Sequence, residues 1–227
     1  TTARFCAACG QPMHPAGGAP AAAWGQVKPA TILFADIAGS TEQIAALDPE
    51  QAMQRLQPAI ERMVSVVEAH GGSVLRTLGD GVMALFGVPL ALEHHAQQAC
   101  HAALALRAVF AADAGPFVLR IGLHSGRVAS DPTEAGDRRG GGAHGVSIHL
   151  ASRVSAQAQP GQILLTAATR DALHGAFVTE PLGDWHLKGI VEPVTLFSLE
   201  RALAAPSLPA APSDVATRFV GRGAEMD

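Results

Sequence analysis

The sequence predicts an α+β fold, a βαββαβ core with further α/β units appended, and three features predict it. An apolar run from Ala30 to Phe34 leads through Asp36 into a polar turn and a helical pattern. Two short strand-like runs flank Gly79-Asp80-Gly81, and a second helical stripe is followed by another apolar strand. Apolar runs bounded by turns read as strands, spacings of three and four read as helices, and an Asp-Gly pair between strand-like runs is a hairpin signal. In that order the elements make the split βαβ, ferredoxin-like plan, an antiparallel sheet with helices packed on one face.

Each element has its own warrant. After the first strand and the turn Gly39-Ser40-Thr41, the residues Met53, Leu56, Ile60, Met63 and Val67 recur at helical spacing on one face, with Pro58 expected to kink or break the helix. Its stop is expected at His70-Gly71-Gly72. Ser73 to Leu78 and Val82 to Phe86 form the hairpin strands, with Asp80 at the tip. A second helix is expected from Glu93 to Ala111, with Ala99, Ala103, Leu106 and Phe110 on its stripe, then a strand from Phe117 to Leu123. The appended units are a helix from Ile148 to Gln157, a strand from Gln162 to Leu165 and a helix from Ala167 to Leu173. Strands through Trp185 to Leu187 and Val191 to Leu199 close the chain.

Composition bounds the function. A chain of 227 residues, 48% hydrophobic and 16% charged, can bury one sizeable core and a small appendage. A net charge of −4 without a basic run argues against nucleic acid and for a small-molecule or protein partner. Three cysteines do not make a disulfide scaffold, which fits a reducing cytoplasm. No apolar run approaches the roughly 20 residues of a membrane span, so no membrane partner is expected. Gln11 to Ala30 and Ala202 to Ser213 read as linkers, so that residues 1–29 and 202–227 flank a body over 30–201; the initial Thr is what an excised fragment would show.

Two carboxylates stand out. Asp36 ends the first strand and Asp80 tips the hairpin beside it, so the sheet can bring them together, and paired carboxylates with open positions suit Mg²⁺ or Mn²⁺. Gly39, Ser40 and Thr41 follow at a helix start, where free N–H groups favour phosphate. The pattern suggests a metal–triphosphate site. Gly140, Gly142 and Gly145 satisfy GxGxxG, but no strand precedes them, so the dinucleotide reading fails. His94, His95, Cys100 and His101 crowd one helix and could bind a stray metal, but an amphipathic helix with an exposed polar face explains the histidines without ligation.

FADIAGST (34–41), GGSVLRTLGDGVMALFG (71–87), LRIGLHSGRV (119–128), HLASRV (149–154), PGQILLT (160–166) and LKGIVEPV (187–194) resemble the successive blocks of the class III adenylate/guanylate cyclase catalytic domain. The resemblance implies that fold, a homodimer with two composite sites, and conversion of ATP to 3′,5′-cyclic AMP and pyrophosphate in intracellular signalling. It implies two divalent cations, Mg²⁺ or Mn²⁺, on Asp36, Asp80 and the Ile37 carbonyl. By the same resemblance Arg153 neutralises the charge growing on the α-phosphate and Lys188 meets the terminal phosphates. Arg76 stands where adenylate cyclases carry a base-specifying lysine, and Gly142 where they carry Asp or Thr. His149 stands in place of the asparagine that orients the ribose. Arg76 can only donate, which leans to ATP over GTP. The alternative is a catalytically degenerate nucleotide-binding and dimerisation module that regulates a downstream region, a reading that Gly142 and His149 favour. TRFVGR (217–222) resembles the entry to an AAA-like ATPase region, and Cys6-Ala-Ala-Cys9-Gly resembles half of a zinc ribbon, able to hold zinc in the intact parent.

Overall fold

The computed structural model describes residues 27–112, 115–130 and 143–203. Cys6, Cys9, Gly142 and the ATPase-like entry at 217–222 therefore lie outside the described residues. The elements run β1 (Val27–Ile37), α1 (Ser40–Ile44), α2 (Pro49–Ala69), β2 (Ser73–Thr77), β3 (Gly81–Phe86), α3 (His95–Ala112) and β4 (Leu119–Ser130). β5 (Ala143–His144), α4 (Val146–Ser155), β6 (Ile163–Thr166), α5 (Ala167–Ala172), β7 (Phe177–Trp185) and β8 (Val194–Ala202) follow. One sheet takes the order β2-β3-β1-β4-β6-β8-β7, with β5 beside β4. The βαββαβ core is as expected, and β4–β6 is the one parallel pairing among the described strands.

Several boundaries differ. β1 starts at Val27, inside the stretch read as a linker, because Val27, Lys28 and Pro29 pair with β4 along with the apolar run. β7 begins at Phe177, well before the expected Trp185. α2 runs unbroken through Pro58. Pro58 and Gln54, whose carbonyl the proline leaves without its usual donor, are both exposed, so water can supply the missing partner. Asp48 caps this helix by accepting from the Gln51 N–H at 2.9 Å, and Pro49 fits the first turn because that position needs no donor. Leu56, Ile60, Met63 and Val67 are buried as expected, but Met53 is 68% exposed, so α2 meets the sheet only from Leu56 onward.

The helices do not share one face. Leu33, Ala35 and Ile37 of β1 bury against Met63, Val67, Ala99 and Leu106, the layer of α2 and α3. Ala30 and Ile32 bury on the opposite side with Met83, Leu85, Val128 and Ala151 of α4. The apolar run of β1 is continuous rather than alternating because both of its faces are covered. Each fully buried Ile, Leu or Met contributes about 1.5–3 kcal/mol, so both layers hold the strand that carries Asp36.

α4 approaches β4 more closely than most side chains would allow. A Cβ on Gly122 would lie 2.2 Å from the Ser155 nitrogen, and one on Gly126 would lie 2.4 Å from Ser147 Oγ. These two glycines seat α4 on the sheet, and with it the face that carries His149 and Arg153.

Candidate active site

Strand register brings the carboxylates together. Asp36 is paired with Gly81 on β3 and with Arg120 on β4, and the Ile37 N–H donates to the Asp80 carbonyl at 3.1 Å. The hairpin closes through the Leu78 N–H on the Gly81 carbonyl at 2.8 Å, which sets Asp80 at the tip beside the end of β1. Position 81 has to be glycine, since a Cβ there would sit 2.4 Å from the Ala35 carbonyl oxygen and 2.9 Å from Asp36 Cα.

Protein donors surround the pair. Arg120 Nη2 donates to Asp36 Oδ2 at 2.7 Å, and Ser155 Oγ donates to Asp36 Oδ1 at 3.4 Å. Ser40, itself buried, donates from Oγ to Asp80 Oδ2. Burial holds the Asp36 carboxyl above its usual range; the charge and hydrogen bond of Arg120 and the hydrogen bond of Ser155 oppose that shift, while the Asp80 charge adds to it. Two carboxylates and an adjacent backbone carbonyl form an all-oxygen donor set of the kind hard divalent cations prefer. No group of three or more His, Cys, Asp or Glu side chains that could hold a metal occurs among the described residues. The pair fits a cation whose remaining positions are filled by water or phosphate.

The turn read as a phosphate cradle lies at a helix start beside the carboxylates. Gly39, with φ of +67°, precedes a helix of only five residues, and the Ser40 hydroxyl is committed to Asp80. Gly39 and Thr41 are exposed beside it. Ser40 thus holds the Asp80 carboxylate, and the helix adds little dipole.

The other expected residues stand apart from the carboxylates. His149 and Arg153, four positions apart on α4, share its exposed side, whereas Ala151, Val154 and Ser155 are buried. Lys188 is exposed between β7 and β8, and Arg76 is exposed on β2. The α4 helix therefore presents Ser155 to Asp36 of its own chain while His149 and Arg153 face solvent.

Sequence reading missed Arg120, Ser155 and His124. Leu119, Ile121 and Leu123 are buried alternates, so Arg120 and Gly122 had to face the other way; that alternation was the available signal. His124 is buried beneath α4, bonded through Nδ1 to Thr166 Oγ1 at 2.9 Å, and burial pushes its pKa down to about 4. A second chain links the half-buried His95 Nδ1 to buried Thr31 Oγ1 at 2.8 Å and Thr31 to Ser125 Oγ at 2.7 Å. The histidine helix is accordingly no uniform polar face: His95 is half-buried against Thr31, and the His101 ring meets Phe177 at 4.8 Å between ring centres, tilted by 56°.

A family model described as the adenylate and guanylate cyclase catalytic domain matches residues 23–201. The chain is 27% identical over 207 residues to guanylate cyclase soluble subunit beta-2 of Rattus norvegicus, covering 85% of this chain and 30% of that protein. It is 29% identical over 181 residues to an adenylate cyclase of Mycobacterium tuberculosis, covering 78% of this chain and 40% of that one. The chain thus spans less than half the length of either curated relative. Among solved structures it resembles the adenylyl cyclase CyaB from P. aeruginosa, with TM-score 0.70 and 24% identity over 78% of this chain and 96% of that chain. It also resembles the guanylate cyclase domain of RhGC from Catenaria anguillulae in complex with GTP, with TM-score 0.70 and 23% identity over 78% and 100%. Those two likenesses establish the fold.

Proposed function

Because the chain belongs to the adenylate and guanylate cyclase catalytic domain family, we propose that it converts ATP to 3′,5′-cyclic AMP and pyrophosphate at a two-cation site shared between two copies of the chain. The observation that carries this reading is the convergence of Asp36 and Asp80 across the β1–β3 register, with Gly81 permitting the approach. Asp36, Asp80 and the Ile37 carbonyl hold the cations. When bound, divalent ions would favour ionisation of the ribose 3′-hydroxyl and offset triphosphate charge.

The remaining roles fall to side chains that one copy turns outward. Arg153 is a permanent, planar cation suited to the oxygens of an α-phosphate that gains charge during the displacement. Lys188 offers a point charge to the terminal phosphates, and His149 offers a ring N–H to the ribose. Their exposure supports a site completed by a second copy, since each is free to reach a nucleotide held on the neighbour's carboxylates. Arg76 donates to adenine N1; relatives of both adenylate and guanylate type make this base choice the finer part of the proposal. We place the domain, 30–201, in a cytoplasmic regulator, between a segment able to hold zinc on Cys6 and Cys9 and an ATPase-like region. No helix among the described residues is long and apolar enough to cross a membrane.

The test is incubation of the dimeric protein with Mn²⁺ and, separately, ATP or GTP, with products resolved chromatographically beside an Asp36→Asn control. Cyclic AMP that disappears in the control is the expected result. Cyclic GMP alone would reverse the base assignment. No cyclic product from a verified dimer would transfer the reading to a nucleotide-binding module, the alternative to which His149 and Gly142 point.

A further inference from the structure

Three of the four oxygens of the carboxylate pair already face a protein donor: Asp36 Oδ2 meets Arg120, Asp36 Oδ1 meets Ser155, and Asp80 Oδ2 meets Ser40. Two of these donors are hydroxyls. A neutral hydroxyl can turn its hydrogen elsewhere and leave the carboxylate lone pair to a cation. Arg120 has no such option, because a guanidinium has no acceptor, keeps its charge at every working pH and repels a divalent ion approaching the same oxygen.

The seat of Arg120 is also incomplete. A single nitrogen meets a single oxygen at 2.7 Å, short of the two-armed grip that guanidinium and carboxylate can make. Its Nε is buried without an acceptor. A donor stripped of water and given nothing in return weakens the hold of the whole group. With 33% of the Arg120 side chain and 30% of that of Asp36 open to solvent, neither partner is sealed in, and the guanidinium has water to withdraw into.

We propose that Arg120 is the resident countercharge of the cation site: it holds Asp36 in line before a divalent ion binds, and guanidinium and ion compete for Asp36 Oδ2. Arg120 is thereby a positioning residue that sets the ion concentration at which the site fills. This rests on reading Asp36 and Asp80 as the cation site.

The test is a Mn²⁺ titration of the full chain without nucleotide, following free Mn²⁺ by its electron paramagnetic resonance signal. Arg120→Gln is expected to bind Mn²⁺ on the order of tenfold more tightly than the parent, as befits loss of a charge-assisted contact. Asp36→Asn is expected to remove that binding in both backgrounds. Equal or weaker binding by Arg120→Gln, with the Asp36→Asn loss intact, overturns the competition and leaves the cation site standing. Binding indifferent to Asp36 in parent and variant alike removes both. A second measurement needs no destabilising change: in ¹⁵N spectra of the unaltered chain, the Arg120 guanidinium resonance, assigned by its absence in Arg120→Lys, should shift as Mg²⁺ is added. A resonance that stays fixed while Asp36-dependent Mg²⁺ binding proceeds overturns the proposal.

Discussion

The carboxylate end of the sheet and the outer side of α4 are built in opposite ways. At the first, Arg120, Ser155 and Ser40 hold the acids in place, Gly81 lets two strands close on each other, and both faces of β1 are buried. At the second, His149 and Arg153 project into solvent from a helix whose other side is wedged against two glycines. The difference separates a region whose side chains are already engaged within one copy from a region whose side chains are left open. The acids are organised by a single copy; the outward residues acquire partners only when something is placed against them.

The strongest way to break that comparison is complementation. Asp36→Asn and Arg153→Ala should each lower cyclic-nucleotide formation by on the order of 10³-fold when assayed alone. Mixed as refolded or co-expressed chains, they should recover to about a quarter of parental activity, because half of the dimers would be mixed and each would keep one intact site. Recovery no greater than the sum of the two separate variants would place all the residues in one chain. Asp36→Asn should meanwhile leave the thermal midpoint unharmed at pH 7, since burial already works against the charged form.

A second variant couples the two regions through packing. Gly122→Ala places a methyl group against the Ser155 backbone, so α4 must move and Ser155 must leave Asp36. The expected cost is about 1–3 kcal/mol, read as a lower denaturant midpoint at unchanged slope. Gly175→Ala is the contrasting control, for its Cβ meets nothing within 4 Å and only its φ of +78° penalises the change.

Beneath α4 the sensitivity is to acid. His124 has a folded pKa of about 4 against 6.5 when free, so between those values the unfolded chain takes up the proton and the folded chain does not. Its contribution is complete above pH 6.5 and is lost as pH falls through 4. Passing from pH 7 to pH 5 should cost about 2 kcal/mol, with His95, lowered by burial as well, adding in the same direction. His124→Gln should flatten that slope in pH-dependent unfolding, and an unchanged slope would assign it to other groups. The smallest effect is expected at the exposed surface, where His149→Asn should retain or raise turnover at pH 7; complete loss of activity would count against the ribose role.

Much of this was legible in the chain, and the failures share a cause. The Asp-Gly hairpin, the α3 stripe and the end of α2 at His70 follow from local rules, and the structure keeps them. Arg120 was not legible as part of the site, because in Leu119-Arg120-Ile121 it reads as one polar alternate of a strand until register sets it opposite Asp36. Ser155 needed the approach of α4 at Gly122, which is a tertiary fact. Pro58 misled in the other direction: the local penalty is real, but α2 continues through it because Leu56, Ala59, Ile60, Met63 and Val67 on either side are held in the core. The side of the sheet on which α4 packs was open from sequence as well, since a strand covered on both faces loses the alternation that would have shown it.

Sheet order has a mechanical consequence. Asp36 belongs to an interior strand braced by β3 on one side and β4 on the other, whereas Asp80 rides on a hairpin whose outer strand, β2, is the margin of the sheet. One acid is therefore mounted stiffly and the other compliantly, so a load borne by the β2 margin changes the gap between them chiefly by moving Asp80. Slower deuterium exchange along β1 than along β2 would register that inequality, and the helix that feeds directly into β2, α2, is the lever through which such a load would arrive.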